Sequence, residues 1–377
     1  MKLKTVFLVA SIVLVVMVVG VSLASTGPAG KGLYRLVGLV GQVVSMVRSS
    51  YVEEVQVDRI ELGALAGMVE SADPGGAYVP DGDSAAFERV RSRRLPPYGL
   101  VLGKRSSYPF VLQAVVGSAA AGAGLVPGEL VERVNGEPVR ARPVWRALVL
   151  LDEAERAGND ATLVVIDRQF SGTRTVVLPA GKVPSPTATV EARESIPVVR
   201  IGEVSQESTK AVRDLLRPYA AAPAAVIDLR SVALGSIEAA PELAALLAGG
   251  DLELKLARRE DSGRVLRGRE SARAWRLVVC VDMTTAGAAE AVALLLKSKG
   301  ATLVGFETYG DTGVRRGIRG ADGQVWLAEE WLPGPDGAPL LGHGLKPDEV
   351  VRMRPGADPV LDRALELARG AVQKQAA

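Results

Sequence analysis

The chain has 377 residues, which is long enough for two or three domains with cores of their own. Its 45 basic and 43 acidic residues nearly cancel, so no strong field favours nucleic acid as a partner. One cysteine excludes an intramolecular disulfide, and with a single histidine, His343, a histidine-based triad or metal centre is not expected. We therefore predict neither a metal nor a cofactor.

The first 26 residues have the composition of an export segment. Lys2 and Lys4 precede an unbroken apolar run from Thr5 to Val21, and a small-x-small site follows. The run is close to the roughly 20 residues that span a bilayer. Residues 1–26 are therefore predicted to be an uncleaved signal anchor in the cytoplasmic membrane or a cleaved signal peptide. In both cases the remainder is expected to be extracytoplasmic, in a periplasm or at a cell surface.

Residues 30–94 are predicted to form a helical region. Apolar residues recur at helical spacing from Leu33 to Glu70, which indicates two helices joined near Tyr51-Val52-Glu53-Glu54. The turn residues Asp73-Pro74-Gly75-Gly76 end the second helix. The segment from Ser84 to Arg94 is predicted to be a short charged helix with a solvated basic end.

Residues 95–183 consist of short β-rich runs separated by turns. A helix is predicted at Val144–Ala157, and the predicted strands are Tyr98–Leu102, Val111–Val116, Leu130–Val134, Thr162–Asp167 and Arg174–Leu178. In order and spacing these pieces resemble a PDZ domain. The resemblance implies that the loop formed by Tyr98, Gly99, Leu100 and Val101 presents backbone N–H groups to a peptide's terminal carboxylate, while the peptide adds as a strand. The alternative is a small β domain without a ligand.

A proline-rich segment from Pro184 to Glu194 is predicted to be a linker or an extended edge segment. Residues 195–370 then alternate strands and helices, which indicates an α/β layer with a largely parallel sheet. The predicted strands are Val198–Glu203, Ala224–Leu229, Leu252–Ala257, Arg276–Asp282, Ala301–Phe306 and Val325–Leu332, and the predicted helices are Gln206–Tyr219, Ile237–Leu247, Ala288–Lys299 and Pro359–Arg369. The predicted fold class is thus α/β with a small PDZ-like β domain.

The strand ending at Asp282 turns directly into the helix that starts at Ala288. Such a junction holds its residue at the positive end of a helix dipole, where free N–H groups can stabilise an oxyanion. Enzymes of several folds place a nucleophile there. Here the junction residue is Gly287.

Pieces along nearly the whole chain resemble the carboxyl-terminal processing (tail-specific) serine protease family. In chain order they are Tyr51-Val52, Gly67-Met68, Asp73-Pro74, the PDZ-like segment, Ile227-Asp228-Leu229-Arg230, Thr285-Ala286-Gly287-Ala288-Ala289-Glu290, Val304-Gly305, Thr308-Tyr309-Gly310 and Gly344-Leu345-Lys346-Pro347-Asp348. The resemblance implies an extracytoplasmic protein that acts near the C-termini of other proteins. It also implies a serine nucleophile, a lysine general base and a PDZ domain that recognises the tail and gates the site.

The chain departs from that family at the positions of the reacting groups. When the family's Ser-Ala-Ser-Ala-Ser-Glu motif is anchored on Glu290, its middle, attacking serine falls on Gly287, and the family's lysine falls on Asp311. The Asn-Pro-Gly-Gly stretch of the oxyanion hole appears as Val232-Ala233-Leu234-Gly235, where Gly235 is the remaining oxyanion candidate. Glycine has no nucleophile, and an aspartate of pKa about 3.9 is a poor base for an alcohol. No catalytic residue is intact.

Other candidate groups near the junction have simpler structural roles. Thr284 and Thr285 are expected to cap the helix, and Glu290 suits a capping box. Lys297 lies about 15 Å from Gly287 along the helix, too far to act as the base. Roles outside catalysis are also predicted for the remaining candidates. His343 is expected to be a turn residue, Cys280 an inert core thiol, and Asp228 with Arg230 an ion pair. Thr308 and Thr312 are hydroxyls without a base partner.

These observations leave three functional hypotheses. In the first, the chain is a pseudoprotease that binds C-terminal tails of extracytoplasmic or unfolded polypeptides and acts as an adaptor or regulator, attached to the membrane by its N-terminal helix. In the second, it is an active serine-type endopeptidase, a carboxyl-terminal processing protease with a non-standard nucleophile. In the third, the PDZ-like segment binds nothing and the protein is a scaffold.

Overall fold

A computed structural model describes residues 28–53, 56–259, 263–271, 275–352, 354 and 357–376. The chain divides into two compact units, Met1–Leu65 and Ala66–Ala377. The predicted signal anchor, residues 1–26, lies outside the described residues. Within the described ranges, no helix combines the length and apolar character that a bilayer crossing requires.

The first unit contains helix α1 (Pro28–Ser50) and the first part of helix α2 (Val57–Ala72). These are the two helices that the apolar spacing predicts. Helix α2 ends immediately before Asp73-Pro74, because the residue preceding a proline disfavours helical backbone.

In the second unit, strand β1 (Ala77–Pro80) and helix α3 (Ser84–Arg91) precede the β-rich region, which comprises residues 95–183. The elements of this region are β2 (Leu100–Arg105), β3 (Tyr108–Ala114), α4 (Ala119–Gly122), β4 (Leu130–Val134), β5 (Glu137–Pro138), α5 (Val144–Arg156), β6 (Ala161–Ile166) and β7 (Thr173–Leu178). They form an antiparallel sheet in the order β2-β3-β4-β6-β7, with β5 beside β4. Strand β2 therefore lies at a sheet edge, and Ala147 and Leu151 of α5 pack into the core of this region.

The remaining elements alternate largely as predicted. They are β8 (Thr189–Arg193), β9 (Ile196–Arg200), α6 (Gln206–Leu215), β10 (Ala224–Asp228), α7 (Ala240–Ala248), β11 (Gly250–Arg258), β12 (Arg264–Glu270), β13 (Arg276–Val281), α8 (Ala288–Ser298), β14 (Thr302–Gly305), β15 (Gly313–Arg319), β16 (Gly323–Trp331), β17 (Glu349–Val350) and α9 (Pro359–Ala376).

A central sheet in the order β17-β14-β13-β10-β9-β8 is parallel except for the β8–β9 pair. Helices α7 and α8 cover one face and α9 covers the other. Strands buried on both faces are continuously apolar, which is why β10 and β13 were recognisable in the sequence. The largely parallel layer is confirmed, and the proline-rich segment supplies the edge strand β8.

A second sheet runs in the order β1-β16-β11-β12, with β15 on β16. The sequence did not predict β1, β12 or β15. Strands β12 and β15 are rich in arginine and mostly half-buried or exposed, so they lack the apolar alternation that identifies a strand. Strand β1 lies in the region predicted to be helical, yet it pairs with β16 and so belongs to this sheet.

Candidate functional site

The junction between β13 and α8 has the geometry of a tight strand-to-helix turn. Gly287 is the residue that caps α8, and its backbone dihedral angles are φ 61° and ψ −118°. A Cβ atom built on Gly287 would lie 3.5 Å from the backbone oxygen of Asp311, which is an ordinary contact. A side chain therefore fits here sterically, but at a backbone conformation that costs an L-residue about 1–3 kcal/mol.

The carboxylate of Glu290 fastens this junction to the loop that follows β14. Its Oε2 accepts hydrogen bonds from the backbone N–H groups of Gly287 and Asp311, both at 2.9 Å. Its Oε1 accepts one from Gly310 N at 2.7 Å and one from the Thr308 hydroxyl. The predicted capping role of Glu290 is confirmed and extends beyond the helix.

Glu290 is fully buried. Burial raises the pKa of its carboxyl group to about 7, against the opposite effect of hydrogen bonds from Thr308, Gly310 and Gly287; the nearby charge of Asp311 also raises it. This group therefore titrates near neutral pH while holding the junction and the loop together.

Asp311, which the resemblance predicts to lie at the family's lysine position, is held in an ion pair. Its Oδ1 lies 2.7 Å from Nη1 of Arg315. The same guanidinium donates two hydrogen bonds to the buried carboxylate of Asp73, at 2.8 and 2.7 Å. Burial alone would lower the pKa of Arg315, but the charges of Asp311 and Asp73 raise it, so the arginine stays protonated. Neither Asp311 nor Arg315 is suited to take a proton from an alcohol.

The two threonines of the junction are tied to the turn. Thr285 is buried, and its hydroxyl donates to the backbone oxygen of Leu229 at 2.9 Å. Thr284 is also buried, and its hydroxyl donates to Oδ1 of Asp282 at 2.6 Å. The prediction that these residues cap the helix is wrong, because Gly287 and Glu290 occupy the capping positions. One of these hydroxyls, that of Thr284, nevertheless has a carboxylate as its acceptor.

The segment that corresponds to the oxyanion strand faces a side chain from the β-rich region. The backbone N–H groups of Ala233 and Leu234 both donate to the amide oxygen of Gln113, at 3.0 and 3.1 Å. Gln113 is 5% exposed, and its own amide donates to the backbone oxygen of Gly202 at 2.7 Å. Two donors that could have met a developing oxyanion are therefore already paired.

Gly235, the predicted oxyanion candidate, lies against Val204. A Cβ atom at Gly235 would lie 2.4 Å from the backbone oxygen of Val204, so only glycine fits. Its φ of 138° also favours glycine. This close backbone approach explains why a glycine is present at position 235, the second glycine of the family's Asn-Pro-Gly-Gly stretch in the alignment.

The β-rich region covers the junction. Phe110, Leu112 and Leu130 pack in one buried cluster with Ala286, the residue before Gly287. The hydroxyl of Tyr309 accepts a hydrogen bond from Lys104 N at 2.7 Å, on the edge strand β2. The face of the sheet therefore shields the corner where chemistry would occur.

The predicted carboxylate loop precedes β2 and includes its first residues, Leu100 and Val101. Tyr98 has a φ of 54°, and its N–H donates to Oε1 of Glu155 at 2.7 Å. The N–H groups of Gly99 and Leu100 donate to the carbonyl oxygens of the two prolines before Tyr98. The three N–H groups from Tyr98 to Leu100 thus have acceptors within the chain.

A cavity of about 390 Å³ extends along β2 and the start of α5. Its apolar lining includes Leu102, Trp145 and Trp326, and its polar end is formed by Asp311 and Arg315. The cavity therefore runs from the edge of the β-rich sheet to the loop beside the junction.

The remaining candidate residues serve the fold. Arg230 pairs with Asp228 at 2.7 Å, as predicted, and Lys297 pairs with Asp348 at 2.6 Å. Burial raises the pKa of the Cys280 thiol, so this cysteine is an unreactive core residue. His343 lies exposed in a turn and Thr312 is buried. The prediction that Thr308 lacks a base partner is wrong, because its hydroxyl donates to the carboxylate of Glu290. In the part of the chain that the structure describes, no group of three or more His, Cys, Asp or Glu residues is placed to hold a metal ion.

Sequence patterns did not identify Gln113, Arg315 or Glu155. One signal was present for Gln113, which interrupts an otherwise apolar run of strand residues and so had to find a buried partner. Arg315 and Glu155 gave no such signal, because charged residues are common on half-exposed strands and at helix ends.

Comparisons with known proteins agree on one family. Residues 195–351 match the model described as peptidase family S41. The carboxy-terminal processing protease CtpA of Bacillus subtilis is 24% identical over 319 residues, which cover 82% of this chain and 67% of that protein. A probable CtpA-like serine protease of Staphylococcus aureus is 24% identical over 328 residues, which cover 83% of this chain and 64% of the relative. The chain thus spans about two thirds of the length of these curated relatives.

Among solved structures, the photosystem II D1 C-terminal processing protease superposes with a TM-score of 0.64 at 22% identity. The superposition covers 86% of this chain and 89% of that one. At this level of identity the likeness concerns the fold, which is shared along most of both chains.

Proposed function

Because this chain belongs to the carboxyl-terminal processing protease family, we propose that it is a catalytically impaired member that binds the C-terminal tails of extracytoplasmic or unfolded polypeptides. It acts as an adaptor or regulator outside the cytoplasm, attached to the membrane through residues 1–26. The observation that carries this proposal is the pair of residues found at the junction. The resemblance places the family's nucleophile at Gly287, and Asp311 beside it forms an ion pair with Arg315 at 2.7 Å.

Each requirement for acyl transfer is unmet at this corner. A nucleophile and a base are needed together, whereas Gly287 supplies no atom to attack and Asp311 is engaged with a protonated arginine. Oxyanion stabilisation needs unpaired donors, whereas Ala233 and Leu234 donate to Gln113. Loss of all three favours binding without cleavage.

Peptide binding is supported by the groove between β2 and α5. Strand β2 is a sheet edge, so an extended tail can add to it through backbone hydrogen bonds. The adjoining cavity of about 390 Å³ offers Leu102, Trp145 and Leu148 to apolar side chains of the tail. The terminal carboxylate then binds at the Tyr98 loop by replacing Glu155 as the acceptor of the Tyr98 N–H.

The test is a pair of unstructured fluorescent decapeptide pools, identical except for a free carboxyl or an amidated C-terminus. We expect the free acids to bind about tenfold more tightly, because charge-assisted hydrogen bonds to the carboxylate are lost in the amide. Fluorescence anisotropy measures both affinities. Equal affinities would remove the tail-binding role, and absence of binding to either pool would favour a scaffold.

The second candidate function, a working peptidase, is favoured at the junction itself by one hydroxyl; a second hydroxyl with a carboxylate acceptor, that of Thr308, is buried and also accepts a hydrogen bond from Leu345 N. Thr284 hydrogen bonds to the carboxylate of Asp282, so a hydroxyl and a proton acceptor are adjacent. However, Thr284 is buried and also accepts a hydrogen bond from Ser231 N at 3.0 Å. Turnover of a quenched unstructured substrate that Thr284→Ala abolishes, with Thr285→Ala as the comparison, would establish this candidate. We expect no turnover from the wild-type protein.

Reintroducing the family's reacting groups tests whether Gly287 and Asp311 stand in the inherited positions. The Gly287→Ser/Asp311→Lys variant is expected to show at most weak turnover of the quenched substrate, because Gln113 still occupies two backbone donors. Adding Gln113→Ala should raise turnover by about 10²-fold, the effect of an oxyanion donor. Gly287→Ala/Asp311→Lys is the inactive control. High activity in the double variant, or no gain in the triple variant, would contradict the role given to Gln113.

A further inference from the structure

The Tyr98 loop already holds a carboxylate of the protein itself. Oε1 of Glu155, in the last turn of α5, accepts the Tyr98 N–H at 2.7 Å. The Glu155 side chain is 14% exposed, so it lies against the loop and not in solvent. Among the N–H groups of Tyr98, Gly99 and Leu100, only that of Tyr98 donates to a carboxylate, since the other two donate to proline carbonyl oxygens.

Arg93 holds this carboxylate in place. Its Nη2 lies 2.5 Å from Oε2 of Glu155, and its Nη1 lies 2.6 Å from Oδ1 of the buried Asp152. Its Nε donates to the backbone oxygen of Leu95 at 3.0 Å. Every nitrogen of the Arg93 guanidinium thus has a partner, and an incoming carboxylate meets a satisfied ion network.

We propose that Glu155 is an internal competitor for the carboxylate site, which a tail must displace from Tyr98 N before its own C-terminus can bind. This inference rests on the proposed function and adds its regulation. After displacement, Arg93 lies close to the carboxylate of Glu155 and to that of the tail. The tail then accepts the hydrogen bond from Tyr98 N, and Glu155 loses it. Glu155 therefore lowers the affinity for free C-termini, while segments that only add along β2 are unaffected.

The test compares wild type with Glu155→Ala in the full-length chain. The probes are the same two decapeptide pools, one with free carboxyl groups and one amidated. We expect Glu155→Ala to bind the free-acid pool about tenfold more tightly and the amidated pool unchanged, since one charge-assisted competitor is removed. Glu153→Ala is the matched control, because Glu153 is exposed on the same helix; it should bind like wild type.

A purely structural role gives the opposite result. If Glu155 serves only to cap Tyr98 N, its loss loosens the loop and weakens binding of both pools, which would overturn the proposal; so would an unchanged free-acid affinity. Glu155→Gln keeps an oxygen for Tyr98 N and therefore folds even where alanine does not. It is expected to give a smaller gain, about threefold, because a neutral acceptor competes less well.

The two proposals fail differently. If wild type binds the free-acid pool and Glu155→Ala binds it no more tightly, the competitor role of Glu155 is wrong while tail binding stands. If wild type, Glu155→Ala and Glu155→Gln all fail to bind free acids, tail binding itself is wrong and the competitor falls with it.

Discussion

Replacing Arg315 with alanine is expected to lower the free energy of unfolding by about 3–5 kcal/mol, the cost of removing one partner from a buried charge cluster. The guanidinium lies between Asp73 and Asp311, and the Asp73 side chain is only 3% exposed. Without Arg315, the carboxylate of Asp73 keeps two backbone donors, Gly75 N and Ala328 N, but no countercharge. Urea unfolding followed by circular dichroism measures the loss.

The adjacent arginine offers a matched control for this substitution. Arg316 lies on the same strand, its side chain is 73% exposed, and its contact to Glu329 is 3.5 Å. Arg316→Ala should stay within about 0.5 kcal/mol of wild type, as exposed ion pairs generally do. A loss below 1 kcal/mol for Arg315→Ala would mean that the cluster is solvated, and that Asp311 is freer than the geometry indicates.

The second large effect concerns Glu290. Glu290→Ala is expected to lower the free energy of unfolding by about 3–5 kcal/mol, because three backbone N–H groups, one buried and two half-buried, and the buried Thr308 hydroxyl lose their acceptor together. Urea unfolding again measures this loss. The exposed Glu153→Ala should change stability by less than about 0.5 kcal/mol. Similar stabilities for both variants would show that the loop and the junction do not depend on this carboxylate.

The same residue predicts a pH dependence with a definite sign. The pKa of Glu290 is raised from 4.5 to about 7 in the folded state. Its stabilising contribution is therefore complete below pH about 4.5 and is lost as the pH rises through about 7. Relative to Glu290→Gln, which stays neutral, wild type should lose about 2–3 kcal/mol of stability between pH 5 and pH 8. A difference that stays flat or grows with pH would show that the hydrogen bonds outweigh burial.

The sequence alone predicted that Gly287 falls at the family's nucleophile position. The family's serine motif can be aligned on Glu290 from only a few neighbouring residues. The strand-to-helix junction is recognisable because an apolar run is followed by an alanine-rich helix. The same locality explains why the central parallel sheet was predicted well. The arginine-rich strands β12 and β15 were missed, because half-exposed strands carry no apolar signature.

Tertiary structure decided which side chains contact the junction at Gly287, the segment from Val232 to Gly235 and the Tyr98 loop. Gln113 reaches Ala233 and Leu234 across about 120 positions of sequence, and Arg315 reaches Asp73 across 242. Glu155 meets Tyr98 only because α5 packs beside the edge strand. Such pairings depend on how sheets and helices are placed against each other, which no local pattern encodes.

The chain by itself therefore determined its α/β class and the strand-to-helix junction at Gly287, since these follow from local periodicity and motif spacing. Only the folded structure decided which side chains accept hydrogen bonds from the backbone N–H groups of Ala233, Leu234 and Tyr98. The physical reason is that a buried donor must find an acceptor, and its nearest acceptor in space is often remote in sequence.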